Sequence, residues 1–111
     1  MEQERRRALR FPFDASAEFV AENSEAKVTA RVSEISLSGC YLQTAQPLPR
    51  NTTIFVKIFA EATFFEAQAT VAYEQPNKGM GLEFREVRPY FLTVLRRWLL
   101  EAMTTKQRPR E

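Results

Sequence analysis

Apolar residues alternate with polar ones along much of this chain, and that alternation limits what it can fold into. From Thr63 to Tyr73, Phe65, Ala67, Ala69, Val71 and Tyr73 fall on one side, while Phe64, Glu66, Gln68, Thr70 and Ala72 fall on the other. A period of two marks a strand with one face in a core. Val28, Ala30 and Val32 alternate in the same way with Thr29, Arg31 and Ser33, and four shorter runs (17–22, 40–44, 53–59 and 80–84) are apolar, aromatic or β-branched. Between them lie turn-forming stretches: Asn23-Ser24-Glu25, Ser38-Gly39, the proline-bearing loop from Pro47 to Asn51, Ala60-Glu61-Ala62, and Gln75 to Gly79. Six strands at intervals of about ten residues predict an all-β fold, a small antiparallel barrel rather than an open sheet.

The period changes after Pro89. Leu92, Leu95, Leu99 and Met103 recur three and four residues apart with Trp98 adjoining, and Arg96, Arg97 and Glu101 take the polar side. This spacing predicts a C-terminal amphipathic helix over about 89–103, with Pro89 in its first turn, packed on the barrel or covering one end. Residues 1–13 are polar and Arg-rich, and Pro12 favours extended backbone before it. The organisation expected is a flexible arginine arm over 1–13, one domain with its helix over 14–105, and a basic tail over 106–111. At 111 residues the chain can bury a single modest core.

The chain has no histidine and a single cysteine, Cys40. The commonest general base and metal ligand are therefore missing, and one thiol makes neither a disulfide nor a thiolate zinc site. With no catalytic triad, HExxH or phosphate-binding glycine loop, the sequence reads as non-enzymatic and without a cofactor. Cys40 lies in a strand run with Leu42 and reads as a small core residue. No run of eighteen apolar residues and no secretory core is present, so no transmembrane segment and a cytoplasmic location are expected. The net charge of +2 gives no global field for nucleic acid. A nucleic-acid-binding barrel using the two basic ends and Phe64 is therefore disfavoured.

Two patterns carry chemistry. Arg6 and Arg10 stand four apart, flanked by Arg5 and Arg7, and further on comes Glu34-Ile35-Ser36-Leu37-Ser38-Gly39. Guanidinium groups match phosphate oxygens and stack on purine faces. Ser36 offers a hydroxyl, and the Glu34 carboxylate can accept from the N–H edge of guanine. Gly39 permits either a close approach or an unusual backbone angle.

In this order and spacing, Arg6-x-x-x-Arg10 and Glu34-x-Ser36-x-x-Gly39 resemble the paired signature of PilZ domains, RxxxR and (D/N)xSxxG. The strand after Gly39, the strand ending at Tyr73, and Gly79-Met80-Gly81-Leu82-Glu83-Phe84 extend the likeness over nearly all of residues 5–103. The resemblance implies a six-stranded β-barrel that binds the bacterial second messenger cyclic di-GMP. Arg6 and Arg10 would meet phosphate and the guanine face, Ser36 and Gly39 would lie under the ligand, and Arg5 and Arg7 would be auxiliary contacts. The ligand would order the arm over the barrel and alter the surface shown to a protein effector acting in trans. Glu34 departs from the usual Asp or Asn by one methylene, and it could instead pair with an arginine of the arm. The alternative is an adaptor that binds protein partners and no nucleotide.

Overall fold

The computed structural model describes residues 9–107 and contains six strands and one helix. The strands are β1 (Phe11–Ala21), β2 (Val28–Ile35), β3 (Gly39–Gln43), β4 (Thr53–Ala60), β5 (Thr63–Gln75) and β6 (Gly79–Glu86), and the helix is α1 (Pro89–Gln107). All pairings are antiparallel, and the sheet closes in the order β1-β2-β3-β6-β5-β4. The expected six-stranded barrel with a C-terminal helix is the observed architecture.

Alternation builds the core. Ile54, Val56 and Ile58 of β4 point inward with Phe65, Ala67, Ala69 and Val71 of β5 facing them, while Phe55, Lys57 and Phe64 lie outside. Val32 and Ile35 of β2, Leu42 of β3 and Met80 of β6 complete the interior. The β4–β5 hairpin turns on Glu61 and Ala62, with Glu61 at a φ of 57°.

Three elements depart from the sequence expectation. β1 begins at Phe11, not near Ala17, so Phe11, Pro12 and Phe13 of the segment read as an arm belong to the barrel; Phe11 pairs with Ile35 and Pro12 with Glu34. Proline is tolerated there because a bulge between Pro12 and Ala15 interrupts the ladder. Tyr73 does not follow Phe65 to Val71 into the core. A register shift between Val71 and Tyr73 turns its ring outward, leaving it 37% exposed. Finally, α1 extends to Gln107, and its buried face is Phe91, Val94, Leu95 and Trp98, with Leu92 and Leu99 only half-buried and Met103 exposed.

That rotation of the helix follows from its two large rings. Trp98 packs against Phe13 at 5.3 Å and Phe65 at 6.2 Å between ring centroids, and its indole N–H donates to the Thr63 hydroxyl at 3.2 Å. Phe91 reaches Phe64 at 5.5 Å and Phe65 at 6.3 Å. Burying Trp98 and Phe91 removes more apolar surface from water than burying Leu92 and Met103 would. Phe65 thus joins β5 to both the helix and Phe84, whose ring lies at 5.0 Å. Truncation of Phe65 to Ala is expected to cost about 3–5 kcal/mol in guanidinium denaturation. Phe55→Ala, at a ring 46% exposed, should cost under about 1 kcal/mol by the same measurement.

Candidate functional site

The turn between β2 and β3 is built around one hydroxyl. Ser36 is buried, and its Oγ accepts from the amides of Ser38 at 3.2 Å and Gly39 at 3.1 Å while donating to the Gly39 carbonyl at 3.2 Å. The Ser36 amide also donates to that carbonyl at 2.8 Å. Ser38 in turn accepts from the Phe84 amide at 2.8 Å, which ties the turn to β6. Ser36 therefore spends its polar capacity on shaping the loop. Gly39 has neither an unusual backbone angle nor open space beside it: its φ is not positive, and a Cβ would run into the Leu82 carbonyl oxygen of β6. The close approach it allows is that of a neighbouring strand.

Beside this turn lies a cavity of about 440 Å³, within the ordinary range for small-ligand sites. Arg10, Glu34, Ser36 and Gly39 all line it, so the structure brings together every candidate residue that it describes. Arg5, Arg6 and Arg7 lie outside the described residues. Arg10 Nη1 donates to Glu34 Oε1 at 3.4 Å across the cavity mouth, with both side chains substantially exposed. Glu83, the other acid of the wall, pairs with Arg85 at 3.2 Å.

Two aromatic residues complete the wall and were not among the sequence candidates. Tyr41 extends from β3 over Gly79 and Tyr73 from β5 over Gly81, with the two rings 6.2 Å apart. A Cβ on Gly81 would occupy the space of the Tyr73 ring, and one on Gly79 would come within 2.9 Å of Tyr41. The Tyr41 hydroxyl donates to Gln75. Partial burial first, then the charges of Tyr73 and Glu34, raise the Tyr41 phenol above its ordinary value. Tyr41 was legible in principle, as the residue two beyond Gly39. Tyr73 was hidden by its own alternation, since the register shift that turns it into the cavity leaves no mark in the strand pattern.

A second cavity, about 360 Å³, opens at β1, β4 and β5. Three cations line it, of which Lys27 and Lys57 each stand 3.8 Å from an acid, Glu18 and Glu66 respectively, and Arg88 is the third; it contains none of the motif residues. Cys40 lines the first cavity but is buried, and burial pushes its thiol up to about 12. Among the described residues no helix is long and apolar enough to cross a membrane.

The sequence matches the family model of the PilZ domain over residues 4–101. No curated protein sequence is significantly similar to it. Among solved structures, the PilZ domain of YcgR from Escherichia coli, determined with c-di-GMP, superposes with a TM-score of 0.77 at 15% identity, covering 93% of this chain and 95% of that one. The inhibitor of motility MotI/DgrA from Bacillus subtilis gives 0.75 at 17% identity over 92% of this chain and 53% of the other, so this chain spans about half of that protein. The PilZ domain of CeSA from a cellulose-synthesising bacterium gives 0.66 at 13% identity, covering 89% and 99%. At these identities the likeness is one of fold.

Removing the Ser36 hydroxyl leaves two amides of the turn without their acceptor, so Ser36→Ala should lose about 1–3 kcal/mol of stability in urea titrations. Gly39→Ala should lose a comparable amount, about 1–3 kcal/mol, because β6 must shift to admit the methyl group. Native Cys40 should react with a thiol reagent at pH 8 about a thousandfold more slowly than in denaturant, given the thiolate fractions at the two pKa values. Its raised pKa means that the folded protein keeps a proton that the unfolded chain releases, so stability should fall as pH rises from 9.0 towards about 12. Cys40→Ala should flatten that fall in pH-dependent denaturation.

Proposed function

The chain belongs to the PilZ domain family, and on that premise we propose that it is a non-enzymatic receptor for cyclic di-GMP. The observation that carries the proposal is the single cavity lined by Arg10, Glu34, Ser36 and Gly39 with Tyr41 and Tyr73. A related barrel, that of YcgR, is known with c-di-GMP bound, which supports the reading. Cyclic di-GMP offers two phosphates and two guanines, and the cavity offers a guanidinium for phosphate and aromatic faces beside it.

The roles follow from placement. Arg10 faces the cavity mouth and meets a phosphate. Ser36 holds the loop under the ligand rather than donating to it, and Gly39 lets β3 and β6 close beneath. Glu34 presents its carboxylate to the mouth, and Tyr41 and Tyr73 form the wall. Arg6, with Arg5 and Arg7 as auxiliary contacts, supplies the positive charge that the walls lack and closes over the ligand. The chain 5–11 then becomes part of a new surface for a protein effector acting in trans, in the cytoplasm.

A second reading has one observation in its favour: Glu34 already occupies Arg10. If that pair excludes the nucleotide, the barrel serves as an adaptor for protein partners through its exposed apolar residues. Calorimetric titration separates the two readings. Wild type should bind cyclic di-GMP at micromolar concentration or tighter and should not bind GTP comparably. One charged hydrogen bond contributes about 1.5–3 kcal/mol, so Arg10→Ala should weaken binding by about 10- to 100-fold. Losing Arg6 as well should bring it to millimolar or beyond. Ligand should also shield the chain around residues 5–11 from protease. Absence of heat and of competition at high ligand concentration would overturn the receptor reading and turn the search to protein partners.

A further inference from the structure

We propose that Glu34 is an internal competitor for Arg10: in the empty site its carboxylate holds the guanidinium that the anionic ligand needs, and so sets the affinity of the site. This inference rests on the cyclic di-GMP reading above and concerns how the same site is tuned.

The register of β1 and β2 creates the competition. Phe11 pairs with Ile35 and Pro12 with Glu34. Arg10 stands two residues before Pro12, which makes it the diagonal neighbour of Glu34 at the end of this ladder. Diagonal neighbours stand about 7–8 Å apart, a gap that two long side chains can bridge. They do so here, with Arg10 Nη1 3.4 Å from Glu34 Oε1. An aspartate would end one carbon–carbon bond sooner, roughly 1.5 Å. Starting from 3.4 Å with Arg10 in its present rotamer, that retraction lengthens the contact beyond ion-pairing range, and Arg10 must reorient to restore it. The extra methylene of Glu34 is what makes the contact possible in that rotamer.

Nothing else on the wall does this work. Glu83 is engaged by Arg85 at 3.2 Å, which leaves Glu34 as the acid that Arg10 meets. The Arg10 and Glu34 side chains are 60% and 47% exposed, so water screens the pair and its hold is weak. A phosphate can displace it, because a guanidinium fork binds phosphate with two parallel bonds. The carboxylate lowers affinity without abolishing binding. An exposed ion pair of ordinary strength corresponds to a penalty of about two- to fivefold.

The test is a set of calorimetric titrations of the full chain with cyclic di-GMP. The proteins are wild type, Glu34→Asp, which keeps the charge but shortens the reach, and Glu34→Gln, which keeps the reach but removes the charge. Both substitutions should tighten binding two- to fivefold. In an Arg10→Gln background the same substitutions should have no effect, since the competitor then has nothing to hold. Binding by either variant when wild type is silent would overturn the tuning proposed here, because an exposed pair cannot block the site outright. Weaker binding by both variants would overturn it and make Glu34 a direct acceptor from the ligand. A gain that persists without Arg10 would also overturn it, reducing Glu34 to a charge that repels the anion. Silence from all three proteins would sink the receptor reading and this inference with it, an outcome distinct from the other failures. Arginine side-chain resonances of the ligand-free protein give an independent check: the Arg10 signals should shift and broaden in Glu34→Gln, and an unchanged spectrum would count against the pair.

Discussion

The distance between β3 and β6 is the constraint on which the barrel and its cavity both depend. The chain contains three glycines, and all three lie in this one pairing: Gly39 opposite Glu83, Gly79 opposite Gln43, and Gly81 opposite Tyr41. None has a positive φ, whereas left-handed backbone is adopted by Asn51, Glu61 and Asn77. Glycine here serves closeness, and asparagine and glutamate do the turning. A side chain at 39 or 79 would strike a carbonyl of the facing strand. In a closed barrel a strand cannot retreat from one neighbour without disturbing the other, because tilt, stagger and strand number are linked.

The same seam makes the site. With no side chains of their own at 79 and 81, the β6 residues leave a shallow channel in which Tyr41 and Tyr73 recline from the strands on either side. The apolar wall of the cavity is thus a packing solution for two bare stretches of backbone. Ser36 makes the same point in polar terms: its hydroxyl closes the turn and thereby places Glu34 on one side and Gly39 on the other. Residues that look like ligand contacts in a motif can be there because the ligand needs the loop they build. On the receptor reading, losing such a residue would reduce stability and binding together, while losing Arg10 or Glu34, both exposed, would touch mainly binding.

Much of this was legible in the sequence, and the gaps have physical causes. Strand number and the turn positions follow from alternation and punctuation, whereas the order β1-β2-β3-β6-β5-β4 around the barrel is seen only in the structure. Glu34, Ser36 and Gly39 were legible as a group because they sit around one turn, where short spacing maps onto short distance, while Arg10, 24 residues from Glu34, is joined to them in the sequence only by the resemblance to the PilZ signature. Tyr73 was not, because a single extra residue in β5 reverses the side to which its ring points, and no composition signal marks that residue. The face of α1 was displaced by about one position because leucine spacing alone was weighed, whereas ring size decided which residues the barrel end accepts. The start of β1 was missed for a related reason: Pro12 argues against a strand until a bulge supplies the place it can occupy.

The charges around the cavity show why a net charge of +2 is compatible with binding a dianion. The described wall carries one guanidinium and two carboxylates, Arg10 against Glu34 and Glu83. Arg10 is matched by Glu34, and Glu83 is matched by Arg85 from outside the lining, so the described walls offer an anion no surplus of positive charge. An anion entering such a site gains little, and it must lose hydration to do so. On the receptor reading, binding would therefore depend on cations brought from elsewhere, and the sequence carries three of them shortly before Arg10, at Arg5, Arg6 and Arg7. Recognition and closure would then be one event: the nucleotide would gather the arginines that neutralise it and, in taking Arg10, release Glu34. On that reading, anion binding would be decided by the placement of charge along the first ten residues of the sequence rather than by its sum over the molecule.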